Sequence, residues 1–233
     1  MPPKFLWRSV TNNSHPEAAE TIRRFLEIEQ CGSKVLYFSC DVSEHQRLMR
    51  IIHYVQNALG PITGIVHAAG VGGKSRLARH SVDSFRETLL PKIHGTIALY
   101  ELVDRRKLEF FICFSSLNAI VGVDREINYS AANAFLDGFA SRLNREGVLG
   151  ISIRWPFWTE TGMGHRLRPF EEVDVVPEIA VTNDEGLRIF KCLLKNGFRD
   201  VLITKKPPSA MPGNHYFVSR DVQRARGPIP TQQ

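Results

Sequence analysis

Residues 111–133 read FICFSSLNAIVGVDREINYSAAN, and the change of pattern within them decides the fold. The apolar run at 110–115 has strand length and no polar alternation, as expected of a strand covered on both faces. It ends in Ser115-Ser116, which puts hydroxyls at the carboxyl edge of the sheet, where open α/β sheets hold their ligands. A helical period then sets in, and Tyr129 and Asn133, four positions apart on that helix, share one face. A buried strand, a polar edge and a helix carrying reactive side chains belong to an α/β architecture.

The same alternation extends in both directions. Short apolar runs at 4–8, 34–40, 62–68, 110–115, 149–155 and 201–204 read as strands, and amphipathic stretches at 16–30, 43–59, 82–104, 125–146 and 184–194 read as helices. The pattern predicts a doubly wound parallel sheet with helices on both faces, a Rossmann-like fold. Ser43 followed by Gln46 has capping-box spacing, and Gly60-Pro61 ends the helix that it opens. Gly32, Gly147 and Gly197 fall just after other helices, where a left-handed residue is wanted. Residues 162–183, with Pro169 and Pro177, follow neither period and read as an irregular excursion over the site.

Composition narrows the function classes. With 233 residues, 43% hydrophobic and 23% charged, the chain can bury one α/β core. The 30 basic residues against 24 acidic ones are scattered and lack a basic-aromatic motif, which argues against nucleic acid and is compatible with an acidic protein partner. Cys31, Cys40, Cys113 and Cys192 form no CxxC pair or His-containing ligand cluster, so they read as small buried hydrophobes of a reduced, cytoplasmic protein without a metal site. No stretch approaches the roughly 18 apolar residues of a membrane span, and the N-terminus has no signal-peptide pattern.

Reducing a ketone with a hydride donor requires a proton donor at the oxygen and a second hydrogen bond to orient it. Tyrosine, with a pKa near 10, serves as the acid only where a cation stabilises its phenolate. Tyr129 is the candidate donor, Ser116 the candidate orienting hydroxyl, and Lys92, in Pro91-Lys92-Ile93-His94-Gly95, the candidate cation. Trp155 and Trp158 read as core aromatics, and His67 as a packed residue at a strand end.

With these residues the chain resembles the ketoreductase domains of modular polyketide synthases, within the short-chain dehydrogenase/reductase superfamily. The resemblance rests on CDVSE from Cys40, GPITGIVHAAGV from Gly60, LPKIHGT from Leu90, FSS from Phe114, NYSAANAFLDGFA from Asn128 and WPFWTETGM from Trp155. Most short-chain reductases carry lysine four residues after the tyrosine. The polyketide-type domains carry asparagine there and bring the lysine from the preceding helix, as Asn133 and Lys92 do in this sequence. The resemblance implies Tyr129 as proton donor, Ser116 as carbonyl orienter, and Lys92 with Asn133 as support for tyrosine ionisation and proton supply. It also implies that Arg8 meets the 2'-phosphate of NADPH, that Asp41 and Val42 flank the adenine, and that Ala68, Ala69 and Gly70 pass near the ribose. The expected reaction is NADPH-dependent reduction of a β-ketoacyl thioester on an acyl carrier protein, in biosynthesis of the polyketide or fatty-acid type.

Three departures qualify that expectation. No GxGxxG occurs in the sequence, and 4–8 matches the family's second strand, so the fold reads as N-terminally truncated: a ketoreductase-like domain over 1–207 and a tail over 208–233. The absent strand is central in such sheets, and its place could be filled by an upstream polypeptide supplying strand and glycine loop, by a second copy, or by closing of the flanking strands. Gly72-Gly73-Lys74 replaces the Leu-Asp-Asp signature of many family members, and Pro156 stands where a glycine is usual, which leaves product configuration open. The competing expectation is a non-catalytic, truncated ketoreductase acting as a structural or interaction module.

Overall fold

The structure, a computed structural model, describes residues 16–72, 81–122, 126–163 and 180–205. The strand expected at 4–8, Arg8 within it, most of the 162–183 excursion and the 208–233 tail lie outside the described residues. The chain divides into two compact units, residues 1–39 and 40–233.

In the smaller unit, helix α1 (Pro16–Gln30) forms where the period predicts it. Glu20 pairs with Arg23 and Arg24, and Arg23 also reaches Glu27, all at three- or four-residue spacing on an exposed face. Phe25 meets Tyr37 with ring centroids 5.7 Å apart. Residues 34–40 are not a strand among the described residues, contrary to expectation. A strand is defined by a hydrogen-bonded neighbour, and the 4–8 segment expected beside this one lies outside the described residues.

The larger unit holds a parallel sheet of order β1-β2-β3-β4: β1 (Gly64–His67), β2 (Phe110–Ser116), β3 (Leu149–Trp155) and β4 (Asp200–Leu202). Around it run α2 (His45–Leu59), α3 (Val82–Glu101), the short α4 (Asn118–Val121), α5 (Ile127–Arg145) and α6 (Asn183–Asn196). The register pairs His67 with Cys113, Cys113 with Ser152, and Ser116 with Trp155, so the polar ends of β1, β2 and β3 meet at one carboxyl edge.

Side-chain alternation separates two cores. Ile65, Phe111 and Cys113 pack with Leu48 and Ile52 of α2, Ala98 and Tyr100 of α3, and Leu136, Phe139 and Leu143 of α5. Ile112, Ile151, Ile153 and Trp155 face the other way, onto Val181 and Leu193, with Trp158 and Phe190 packed alongside. Tyr100, Phe111 and Phe139 form a mutually edge-on aromatic trio with centroids 5.5–6.4 Å apart. Burial of each such ring contributes roughly 1.5–3 kcal/mol, which fixes α3 and α5 to the back of β2.

Local chemistry sets the helix ends, in part differently from the sequence reading. The capping box expected at Ser43 and Gln46 is not made: Glu44 is the cap residue and contributes no side-chain bond. The Ser43 backbone N–H and hydroxyl instead both donate to Asp41 Oδ1, at 2.8 and 2.7 Å, because an Asx turn competes for the same groups. A full capping box forms at α6, between Thr182 and Glu185, and Ser81 caps α3 by accepting from Ser84 N–H. Gly197 closes α6 in the left-handed region at φ 64°, as its position predicts. All four cysteines are free, and only Cys113 is buried, Cys31 and Cys192 being exposed. No helix among the described residues is long and apolar enough to cross a membrane, and no cluster of metal-ligating side chains occurs among them.

Candidate functional site

Helix α3 brings Lys92 under the carboxyl edge of β2. Its side chain is 3% exposed, and Nζ donates to the Phe114 carbonyl at 2.9 Å. Phe114 lies one step beyond the last residue of β2 that pairs with β1, so this carbonyl is open on that side and accepts from the lysine instead. Burial lowers the Lys92 pKa to about 8, with Cys113 and Asp137 pulling it back up. At neutral pH the ammonium is therefore still the main form.

Pro91, immediately before it, interrupts the α3 hydrogen-bond ladder, since proline has no N–H to donate to the preceding turn. The Pro91 carbonyl accepts a bond from His67 Nε2 at 3.1 Å, which ties the end of β1 to α3 and fixes the His67 tautomer with the proton on Nε2. Burial, and the Lys92 charge behind it, lower the His67 pKa to about 4. His67 is a packed neutral imidazole, in keeping with its sequence reading.

Helix α5 supplies Tyr129 and Asn133. Burial raises the Tyr129 pKa, Glu126 adds to that, and side-chain hydrogen bonds with Asn133 and Ser116 draw it down. The Ser116 and Asn133 side chains thus lie beside the Tyr129 phenol, and the Lys92 ammonium lies 5.8 Å from the centre of the Tyr129 ring. The Ser116 hydroxyl oxygen accepts from Asn118 N–H at 3.2 Å. Asn133 is fully buried, its amide donating to the Tyr129 carbonyl at 2.7 Å, and its Oδ1 has no partner among the described residues. The neighbouring Ser115 hydroxyl points to the other face and donates to the Asn133 carbonyl at 3.2 Å. All four residues singled out in the sequence come together.

The residues expected to meet a dinucleotide divide into three groups. Gly70 lies against Lys92, and a Cβ there would stand 2.8 Å from Lys92 Cε. Val42 packs into the notch left by Gly95 of α3, where a Cβ would meet it at 2.5 Å. The Ala68–Gly70 turn, Val42 and the Lys92 ammonium are thus neighbours along the carboxyl edge. Asp41 is exposed, and the Ser43 bonds hold its carboxyl below the usual range. Arg8 lies outside the described residues. The reacting end of a nicotinamide fits the Ser116, Tyr129 and Lys92 groups, whereas no glycine-rich helix N-terminus for the pyrophosphate occurs in the sequence.

The sequence reading missed several polar residues behind the site. Asn128 and Thr88 join α5 to α3 through a 2.8 Å bond. Asp137 accepts from the Ser152 hydroxyl and from Arg154 Nε, which braces α5 against β3. Asn128 beside Tyr129, and Thr88 one helical turn before Lys92, were the available signals.

Comparison with known proteins agrees with this geometry. The family model described as KR domain matches residues 7–160. Polyketide synthase PksL of Bacillus subtilis is 32% identical over 212 residues, covering 89% of this chain and 4% of that protein. The 6-methylsalicylic acid synthase of Penicillium patulum is 31% identical over 165 residues, 70% of this chain and 9% of the relative; the chain thus spans a small part of these much longer proteins. Among solved structures, an A-type ketoreductase from a modular polyketide synthase superposes with TM-score 0.72 at 28% identity, over 81% of this chain and 39% of that one. An alcohol dehydrogenase from the archaeon Thermococcus sibiricus shares the fold at TM-score 0.66 and 20% identity, over 82% and 83% of the two chains. With the sheet order, the convergent side chains and these matches together, the chain belongs to the KR-domain family, the ketoreductase domains of polyketide synthases with a short-chain dehydrogenase/reductase fold.

Proposed function

We propose that this chain carries the proton-donating half of an NADPH-dependent ketoreductase, acting on a β-ketoacyl thioester delivered by an acyl carrier protein. The observation that carries the reading is the convergence of Ser116 and Asn133 on the Tyr129 phenol with the buried Lys92 ammonium 5.8 Å from its ring. The substrate's β-carbonyl oxygen would accept from the Ser116 hydroxyl and the Tyr129 phenol together, which polarises the carbonyl carbon. NADPH, when bound, supplies the hydride to that carbon. Tyr129 transfers its proton to the forming alkoxide, giving the β-hydroxyacyl product, and Lys92 stabilises the resulting phenolate. Preorganised charge of this kind acts strongly in a site shielded from water.

No GxGxxG occurs in residues 1–233, and the proposed function draws on a phosphate loop, with its strand, from polypeptide outside them. The fatty-acid-type substrate class and the Arg8, Asp41 and Val42 contacts to NADPH belong to the same proposal. NADPH oxidation with a β-ketothioester, measured on the chain alone and with the complementing segment, tests it. Formation of the β-hydroxy product is expected, and its absence under both conditions overturns the reading. The second reading, a non-catalytic module, is favoured by the missing loop alone. Saturable NADPH binding in a calorimeter would exclude it.

A further inference from the structure

Lys92 and Tyr129 sit on different helices, and neither contacts the other through a hydrogen bond that would fix their separation. Their spacing depends on how α3 and α5 are held together at this level. α3 is weakened there, because Pro91 removes one bond from its ladder. α5 begins without a side-chain cap, since its cap residue Glu126 makes no such bond. Two pliable segments therefore carry the two groups whose distance matters.

One fully buried polar chain spans them. Asn128, 1% exposed, donates through Nδ2 to Thr88 Oγ1 at 2.8 Å, and its Oδ1 accepts from the Tyr129 backbone N–H at 2.9 Å. Thr88, 2% exposed, donates its own hydroxyl hydrogen bond to the Ser84 carbonyl at 3.2 Å. The Asn128 amide thus has a partner at each end. It occupies the open first turn of α5 and grips α3 one turn before Lys92, since Thr88 and Lys92 are four residues apart on one face. A buried bond whose loss strands an amide is costly to break, so the link is stiff where the helices are not.

We propose that Asn128 and Thr88 are positioning residues that hold the Lys92 ammonium at its distance from the Tyr129 phenol. The proposal rests on the reductase reading for its kinetic consequence, but its structural content stands apart from it. The titratable groups around the pair are Lys92 on α3, His67 on β1, Cys113 on β2, and Glu126, Tyr129 and Asp137 on α5. Neither Thr88 nor Asn128 carries charge, so a change in Lys92 titration on altering Thr88 reports geometry.

The test uses the whole chain with 13C at lysine Cε, the Lys92 signal being identified by its loss in Lys92→Met. Thr88→Val keeps the volume and removes the hydroxyl, while Thr88→Ser keeps the hydroxyl. The Lys92 titration midpoint is expected to move in Thr88→Val by about one pH unit toward the ordinary lysine value, and to return in Thr88→Ser. Should the valine variant not fold, Thr88→Cys, a weaker acceptor of similar size, is expected to show a smaller shift in the same direction. With a β-ketothioester, kcat is expected to fall roughly 10- to 100-fold in Thr88→Val, as misplacement of about 1 Å costs, while KM stays within about twofold. An unchanged Lys92 midpoint in the valine or cysteine variant overturns the proposal. Absence of turnover in the parent chain, both alone and with the complementing segment, would instead overturn the reductase reading and leave the titration result standing.

Discussion

The Lys92 ammonium lies 5.8 Å from the Tyr129 ring centre and donates to a neutral partner, the Phe114 carbonyl. A carboxylate in that place would cancel the field that a phenolate needs, whereas a carbonyl fixes the position and leaves the positive charge in effect. The carboxylate whose charge acts on Lys92, that of Asp137, is engaged by Arg154 and Ser152.

Holding an ammonium in this site costs stability. The drop of the Lys92 pKa from 10.5 to about 8 corresponds to about 3 kcal/mol. Lys92→Met keeps the packing and gives up one hydrogen bond to Phe114, so a net gain of about 1–2 kcal/mol in unfolding free energy is expected. Reduction should fall by about 100-fold in the same variant. Thermal melting and thioester-dependent NADPH oxidation, measured on one preparation, check the two opposite effects.

Reduction is expected to decline as the pH rises through about 8, where Lys92 loses its proton. Replacing Lys92 by arginine, which stays charged throughout the accessible range, should lower the rate and remove this alkaline limb. A pH–rate profile of the parent and Lys92→Arg compares the two. An alkaline limb that persists in the arginine variant would assign it to another group.

His67 sets an acid limit on stability. Its folded pKa of about 4 lies below the ordinary 6.5, so the unfolded chain binds the extra proton between those values. Stability is therefore lost as pH falls from 6.5 toward 4, by about 3 kcal/mol in all, and this contribution changes no further below 4. Urea denaturation at steps between pH 7 and 4 should show the slope, and His67→Asn, which has nothing to titrate, should flatten it.

The sheet and its covering helices were legible in the sequence because buried parallel strands and amphipathic helices have distinct periods; β3 matches its expected bounds residue for residue. Residues 34–40 failed as a strand because strand character depends on a neighbour that their own pattern cannot supply. Of the four candidate residues, Ser116, Tyr129 and Asn133 were readable from one stretch, whereas Lys92 comes from another helix and was singled out through the resemblance. Asn128, Thr88 and Asp137 were missed for a different reason: the places of Asn128 and Thr88 next to candidate residues were legible, but nothing marks a polar side chain as buried until the elements around it are packed. The Ser43 capping box was a local rule outcompeted by another local rule at Asp41.

Asp137 joins α5 to β3 through Arg154, both side chains being 14% exposed. Asp137→Ala leaves a mostly buried guanidinium with Asp200 as its remaining carboxylate partner, and a loss of about 2 kcal/mol is expected. Arg23→Ala on the exposed face of α1, where the side chain is 60% exposed, should leave the denaturation midpoint nearly unchanged. Chemical denaturation of the two variants distinguishes a brace from a solvated ion pair.

The proposed reaction is carbonyl reduction completed by a proton from Tyr129. Its most direct measurement is the rate of β-hydroxyacyl formation from a β-ketothioester and NADPH by the parent chain and by Tyr129→Phe, each with the loop-bearing segment present. Loss of the phenol should reduce the rate by about 100-fold or more, the scale of a positioned acid, with NADPH affinity unchanged. A Tyr129→Phe chain that forms the product at the parent rate would contradict the account.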